Sequence, residues 1–268
     1  MLFGLLTQPI EMFEPIAFFI WPLALLAVFC LGLPLLLCLE KRYPAHPKLM
    51  ELDFEKIDSS LGDFLMTQTK ALFKIGFDEP TLIQIPNFVP QVNSYLIMLV
   101  NRQTGDKAMV TALVSQGLQL LYLEFTTGFD SGEVFNTHNA TEIPAFPPYA
   151  KKVRTQVPAV DDAQELYRLH TFVMNKHQVQ GRKVLYEPGQ ALDYLARFGF
   201  FDEQVKGGWL FYDQESDSYR PTFKGACLIV WRLMQPFKAL HKMALNRRAK
   251  NILKEFHRAN ESENLFEA

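Results

Sequence analysis

From Ile16 to Leu39 the chain runs for 24 residues without a charge, and no other feature of its sequence limits it as strongly. As a helix at ~1.5 Å per residue this run reaches roughly 36 Å, slightly more than the ~30 Å hydrocarbon layer of a bilayer. Phe18, Phe19, Trp21, Phe29 and the leucine-rich stretch from Leu31 to Leu37 point all round such a helix. A globular helix normally keeps one polar face, so the run predicts a transmembrane helix over 16–39 preceded by a short tail, 1–15.

Two rivals are weighed against it. A cleaved leader needs a basic start, an apolar stretch of ~7 to 15 residues and a small-residue cleavage site. Here the first 40 residues hold no Lys or Arg, the run is too long, and Leu39-Glu40-Lys41 is a poor cleavage site. The second rival is a re-entrant or interfacial hairpin, because Pro22 and Pro34 each remove a helical hydrogen bond and favour a kink. The flanks decide orientation. Glu11 and Glu14 precede the run, while Lys41, Arg42 and Lys48 follow it, so the basic bias predicts a single pass with the bulk of the chain on the cytoplasmic side. Three cysteines without paired spacing fit a reducing compartment. Asn139-Ala140-Thr141 and Asn260-Glu261-Ser262 match the glycosylation acceptor pattern and would matter only in the opposite orientation.

The remainder is expected to fold as α+β. Residues 40–59, with Pro44 and Pro47, are expected to form a stalk. Residues 60–157 form the sheet domain. A helix is predicted from Ser60, with Leu61, Phe64, Leu65, Leu72 and Phe73 on one face and Lys74 and Gly76 at its end. Strands are predicted over Thr81 to Ile85, Ser94 to Asn101, Lys107 to Ser115, Leu118 to Thr127 and Glu133 to Thr137, with turns at Gln103-Thr104-Gly105-Asp106 and Asp130-Ser131-Gly132. Together they read as an antiparallel β-meander of four or five strands covered by the helix, with Lys151 to Val157 extended. Residues 158–235 read as a small helical unit. It has a helix capped at Asp161 or Asp162, a second helix with Pro188 in its first turn, and a hairpin between Trp209 to Tyr212 and Tyr219 to Thr222. That order allows a winged-helix-like arrangement, although Asp213, Glu215 and Asp217 on the wing would repel a phosphate backbone.

Charge is segregated along the chain. Pro221 to Arg258 holds nine Lys or Arg and one acid, Glu255, a net +8, while the chain as a whole carries −2. Helical spacing places Val230, Leu233, Phe237, Leu240 and Ala244 on one face, opposed by Arg232, Lys238 and Lys242. After a kink site at Pro236 and beyond Asn246, the apolar face passes to Leu245, Ala249, Ile252, Leu253 and Phe256, opposed by Arg247, Arg248, Lys250, Lys254 and Arg258. Residues 236–268 are therefore expected to form a basic amphipathic helix with an acidic tail. The eight cations from Arg232 to Arg258 (Arg232 just before this helix, the other seven on it) are the candidate membrane-surface residues, facing anionic lipid head groups. The competing expectation packs the same stripe on the domain. Nucleic acid is a poor match as a partner, because basic and aromatic residues do not interleave.

Enzyme motifs are sparse. The sequence has no phosphate-cradling glycine loop, Gly-x-Ser-x-Gly elbow, His-Glu-x-x-His or Cys-x-x-Cys. His170 and His177 share a helical face without a third ligand at metal spacing, so neither a metal site nor a cofactor is expected. His138 is the best acid-base candidate, with Glu124, Asp130 or Asp161 as partner, and Tyr122, Glu124 and Thr126 lie on one strand face. The expected function is a non-enzymatic binding or scaffold protein that holds a protein partner at the membrane surface. The alternative is a membrane-tethered enzyme acting on a lipid or membrane-proximal substrate.

Overall fold

The computed structural model describes residues 14–54, 57, 59–89, 92–115, 118–148, 150–177, 181, 183 and 201–267. It is a mixed α+β fold with one apolar N-terminal helix. Helix α1 (Glu14–Ala27) passes through one π turn (Val28–Gly32) into α2 (Leu33–Glu40). Backbone angles stay right-handed helical at Ala27, Gly32 and Leu33, so the path is continuous and not a hairpin. The widened turn has a cause in Pro34, whose ring would otherwise strike the carbonyl four residues back, at Cys30. The 21 residues Ile20–Glu40 are long and apolar enough to cross a membrane, about 31 Å as a helix.

The stretch expected as a stalk instead pairs with both sheets. β1 (Tyr43–Pro44) and β2 (Met50–Glu51) are short, yet each is hydrogen-bonded to a neighbour. Helix α3 (Ser59–Lys74) buries Leu61, Leu65 and Leu72 and ends where Gly76 adopts φ +88°, a conformation glycine reaches without a side-chain clash. Phe77 N–H then donates to Leu72 O at 3.1 Å and Gly76 N–H to Phe73 O at 3.2 Å, closing the end in the Schellman pattern.

Six longer strands follow: β3 (Asp78–Val89), β4 (Val92–Val100), β5 (Lys107–Ser115), β6 (Leu118–Gly128), β7 (Val134–His138) and β8 (Lys152–Gln156). With β2 they form a seven-stranded sheet in the order β2-β3-β4-β5-β6-β7-β8. Every neighbouring pair is antiparallel except the last. β8 runs parallel to β7, with Asn136 opposite Arg154 and His138 opposite Gln156. The expected meander thus ends in a mixed edge, because a parallel return requires a crossover of about a dozen residues or more, which segment 139–151 supplies. Pro144, Pro147 and Pro148 keep its described residues out of regular structure.

Helix α4 (Ala163–His177) starts where Glu165 N–H donates to Asp162 Oδ1 at 2.8 Å, the cap expected from the sequence. The helix expected around Pro188, with Leu192, Leu195 and Phe198, lies outside the described residues. Beyond it come α5 (Asp202–Lys206), β9 (Leu210–Asp213), β10 (Ser218–Pro221), α6 (Phe223–Leu233) and α7 (Phe237–Glu267). The hairpin of β9 and β10 is present, and β1 extends it to three strands. At the start of α6 the chain passes so close to Trp209 that a Cβ on Gly225 would lie 1.9 Å from its carbonyl oxygen, so only glycine fits there.

Alternation along the strands gives the large sheet two different faces. Leu82, Ile97, Leu99, Val110, Leu123 and Phe125 face α3, α4 and α7 in the main core, where each fully buried side chain of this size contributes roughly 1.5–3 kcal/mol. The C-terminal half of α7 seals this core with Ala249 and Phe256, helped by Ile252 and Leu253. One polar chain crosses the core. Asp106 accepts from Thr127 Oγ1, from Tyr167 Oη at 2.7 Å and from Lys183 Nζ at 2.9 Å. The Thr127 hydroxyl, having given its proton to Asp106, must accept from His170 Nε2 at 2.9 Å, which leaves His170 Nδ1 to accept from Thr137 at 3.0 Å. That order assigns the Nε2–H tautomer to a fully buried, neutral imidazole. Replacing Thr127 by Val leaves Asp106 and His170 each short of a partner. The variant is expected to lose about 1–3 kcal/mol of stability in denaturant titration of the detergent-solubilised chain, whereas an unchanged midpoint would show the chain to be incidental.

Candidate functional site

The opposite face of the sheet changes character along its width. Near β3 and β4 it is apolar, with Ile83, Ile85, Leu96 and Met98 packed against Leu49 and Met109. From β6 onward it turns polar. Glu124 stands opposite His138, and Thr126 opposite Asn136, whose amide donates to Thr126 Oγ1 at 2.9 Å. Thr126 in turn donates to Glu124 Oε1 at 3.3 Å. On the edge strand β8, Lys152 and Arg154 project to the same face by alternation. Tyr122, Glu124 and Thr126 therefore share a face as their spacing implies, and register brings His138 to Glu124 rather than to Asp130 or Asp161.

Burial sets the protonation of this row. Desolvation pushes the His138 imidazole down to about 4, with Glu124 opposing the shift and Arg154 and Lys152 reinforcing it. His170 is also pushed to about 4 by burial, against the pull of Asp106. Burial raises the Asp106 carboxyl, but Lys183, Thr127 and Tyr167 outweigh it and hold the group below its ordinary value. Lys107, next along the chain, is pushed down to about 7 by burial, with Asp106 opposing. Nδ1 of His138 is buried with no hydrogen-bond partner among the described residues.

Past the edge of β8 lies a cavity of about 460 Å³, walled by the crossover segment at Ile143 and Pro144 and by α7 at Leu245 and Ile252. Neither Glu124 nor His138 lines it. Arg154, Arg232 and Arg248 do, with His241. The three arginines are close enough for Arg154 and Arg248 to lower the pKa of Arg232, after the larger effect of its own burial. Arg154 Nη1, Arg232 Nε and His241 Nε2 are all buried without a hydrogen-bond partner among the described residues. The carboxylate in the wall, Glu255, is already paired with Lys176.

The eight cations singled out from sequence thus separate. Arg232 and Arg248 enter the cavity wall. Lys238 pairs with Glu142 of the crossover at 2.8 Å. Lys242, Arg247, Lys250, Lys254 and Arg258 are exposed along α7. Arg154 and His241 were missed by the sequence reading. The signal for Arg154 was present in Lys152-Val153-Arg154, an alternation that sets two cations on one face of a strand. Among the described residues no group of three or more His, Cys, Asp or Glu is placed to hold a metal ion, and His177 is exposed while His170 is committed to its threonines.

Comparison with protein-family models, with curated proteins and with solved structures finds no match to this chain. The site is therefore interpreted from its own chemistry.

Both buried histidines lie below the ordinary imidazole value of 6.5 in the folded chain. As pH falls through 6.5 the unfolded chain takes up protons first, so stability should be complete above that pH and decline toward pH 4. Imidazole NMR of the full chain should show two residues still neutral at pH 5. A midpoint near 6.5 for both would refute their burial.

Proposed function

We propose that the chain is a membrane-anchored, non-enzymatic binding protein whose α+β domain is held against the bilayer surface by direct contact with its anchor. The observation that carries this reading is the way the domain grips the apolar helix. Arg220 donates to the carbonyl oxygens of Cys38 and Leu39 at 3.0 and 3.3 Å, and Leu37 joins the cluster of Tyr43, Phe146, Phe201, Leu210 and Ile229. The ring of Phe237, at the start of α7, meets that of Phe29 at 6.2 Å. A leader removed by cleavage would leave those partners unsatisfied, and a freely tethered domain would not make them.

Several features support lipid as the neighbour on the remaining surface. Trp21, Leu25, Leu31 and Leu35 stay exposed on the helix. The elbow between α6 and α7 adds Trp231, Leu240 and Met243, each at least half exposed, beside the Phe29 to Phe237 contact. Exposed apolar side chains in such number are costly in water and favourable at a bilayer. The flanking Lys41, Arg42 and Lys48 favour a cytoplasmic domain. Along α7 the exposed Lys242, Arg247, Lys250, Lys254 and Arg258, with Arg248, would meet anionic head groups wherever the helix approaches the surface, each contributing ~1 kcal/mol there.

The enzymatic alternative draws on the adjacency of Glu124 and His138. A histidine held near 4 is a weak base at neutral pH, and the neighbouring cavity is lined by arginines rather than by this pair, so binding is the better reading.

Ultracentrifugation of detergent-free lysate should bring the full chain into the membrane pellet, and carbonate washing should leave it there. A chain recovered in the supernatant overturns the proposal. With Trp21 and Trp209 changed to Phe, brominated acyl chains should quench the fluorescence of Trp231. Emission insensitive to bromine would remove the elbow from the lipid.

A further inference from the structure

We infer that the arginine cavity between β8, the 139–151 crossover and α7 is a phosphate-binding site, built to take a phosphorylated head group or a free phosphate compound. The inference deepens the reading of the chain as a binding protein by naming the chemistry of what it binds.

Three guanidinium groups reach the cavity from two distant parts of the chain, Arg154 from the edge strand and Arg232 and Arg248 from the helices beyond the hairpin. Like charges brought together under partial burial repel one another: the Arg232 guanidinium is held below its ordinary value first by its own burial and then by Arg154 and Arg248. A protein normally answers such a cluster with carboxylates. Glu255 is taken up by Lys176 and Glu142 by Lys238, while Glu124 stabilises the charge of Arg154 from a distance without forming an ion pair within 4 Å among the described residues. The two buried guanidinium nitrogens and His241 Nε2 are left with protons or lone pairs and no partner among the described residues. Buried groups of this kind are usually satisfied by something, and the residues that carry them line one cavity together with Arg248, an arrangement that suits a multivalent oxygen ligand.

The charge and shape favour phosphate over a single carboxylate. A dianion offsets more of three positive charges, and its oxygens can accept from several guanidinium forks at once. A volume of about 460 Å³ lies in the range of small-molecule sites and exceeds what one inorganic ion needs. The apolar side of the wall, Ile143, Pro144, Leu245 and Ile252, suits the carbon skeleton that carries the phosphate. Location adds a further reason to include lipids. Trp231 and His241 rings lie 5.9 Å apart, so the cavity is one helical turn from the elbow that meets the anchor at Phe29.

The test uses the full-length chain in a nonionic detergent, with inorganic phosphate as probe at constant ionic strength, read by thermal unfolding. Saturable stabilisation is expected, with apparent affinity at least about tenfold weaker in Arg232→Gln and in Arg248→Gln. Arg248 is exposed on α7, so its variant keeps the test intact if Arg232→Gln fails to fold. Lys70→Gln with Lys74→Gln, exposed on α3 and outside the cavity, should leave the response unchanged. A second arm compares nanodiscs of phosphatidylcholine with and without phosphatidic acid. Stabilisation by phosphatidic acid that depends on Arg232 and is competed by free phosphate assigns the head group as source, whereas a response to inorganic phosphate alone assigns a soluble phosphate compound. No saturable response in either arm overturns the site, as does a response that survives both arginine variants or vanishes equally in the lysine pair. The detergent arm involves no bilayer, so its failure is separate from any failure of the chain to pellet with membranes.

Discussion

The packing of α7 across the sheet organises most of this molecule. Its C-terminal half closes the main core through Ala249 and Phe256, while its first turn reaches Phe29 of the apolar helix and its middle walls the arginine cavity. One element therefore joins core, anchor and candidate site. The reason is periodicity: apolar residues three and four apart make a stripe, and a stripe on a helix this long meets several surfaces in succession. The basic residues of α7 are displaced to the flanks of that stripe, and one of them, Arg248, ends beside Arg232 of α6 and Arg154 of β8.

The sheet contributes the second constraint. Leu121, Leu123 and Phe125 alternate with Tyr122, Glu124 and Thr126 on β6, so any pairing that buries the first set turns the second to the opposite face. At the parallel edge the same alternation delivers Lys152 and Arg154 to the polar side. A parallel last strand also obliges a crossover, and the crossover supplies Ile143 and Pro144 to the cavity wall and Glu142 to Lys238 of α7. Topology and site chemistry are thus coupled: an antiparallel return at this edge would have reversed β8 and removed the wall.

Between the two sheets and the anchor there is little slack. Tyr43 and Met50 pair on either side of a short connection, and Arg220 caps the carbonyl end of α2, where four backbone acceptors lack helical partners. A domain so placed has a defined orientation relative to the helix axis. In a bilayer that would fix which surface faces the head groups.

Local features were legible in the sequence alone. The uncharged run, the helix ended at Gly76, the cap at Asp162, the hairpin around Asp213 to Asp217 and the two-faced strand β6 depend on neighbours a few residues apart, and side-chain spacing encodes them directly. Contacts between remote residues were not. The pairing of Tyr43 with Tyr219, the bond from Lys183 to Asp106 across 77 residues, the parallel β8 and the meeting of Arg154 with Arg232 all depend on which surfaces close over one another. Sequence determined that a greasy helix, a sheet with unlike faces and a cationic arm had to exist, because hydrophobic period and charge are local properties. Only the tertiary structure decided that part of that cationic arm turns inward to form a pocket, because the loss of water and the proximity of like charges arise when distant segments pack.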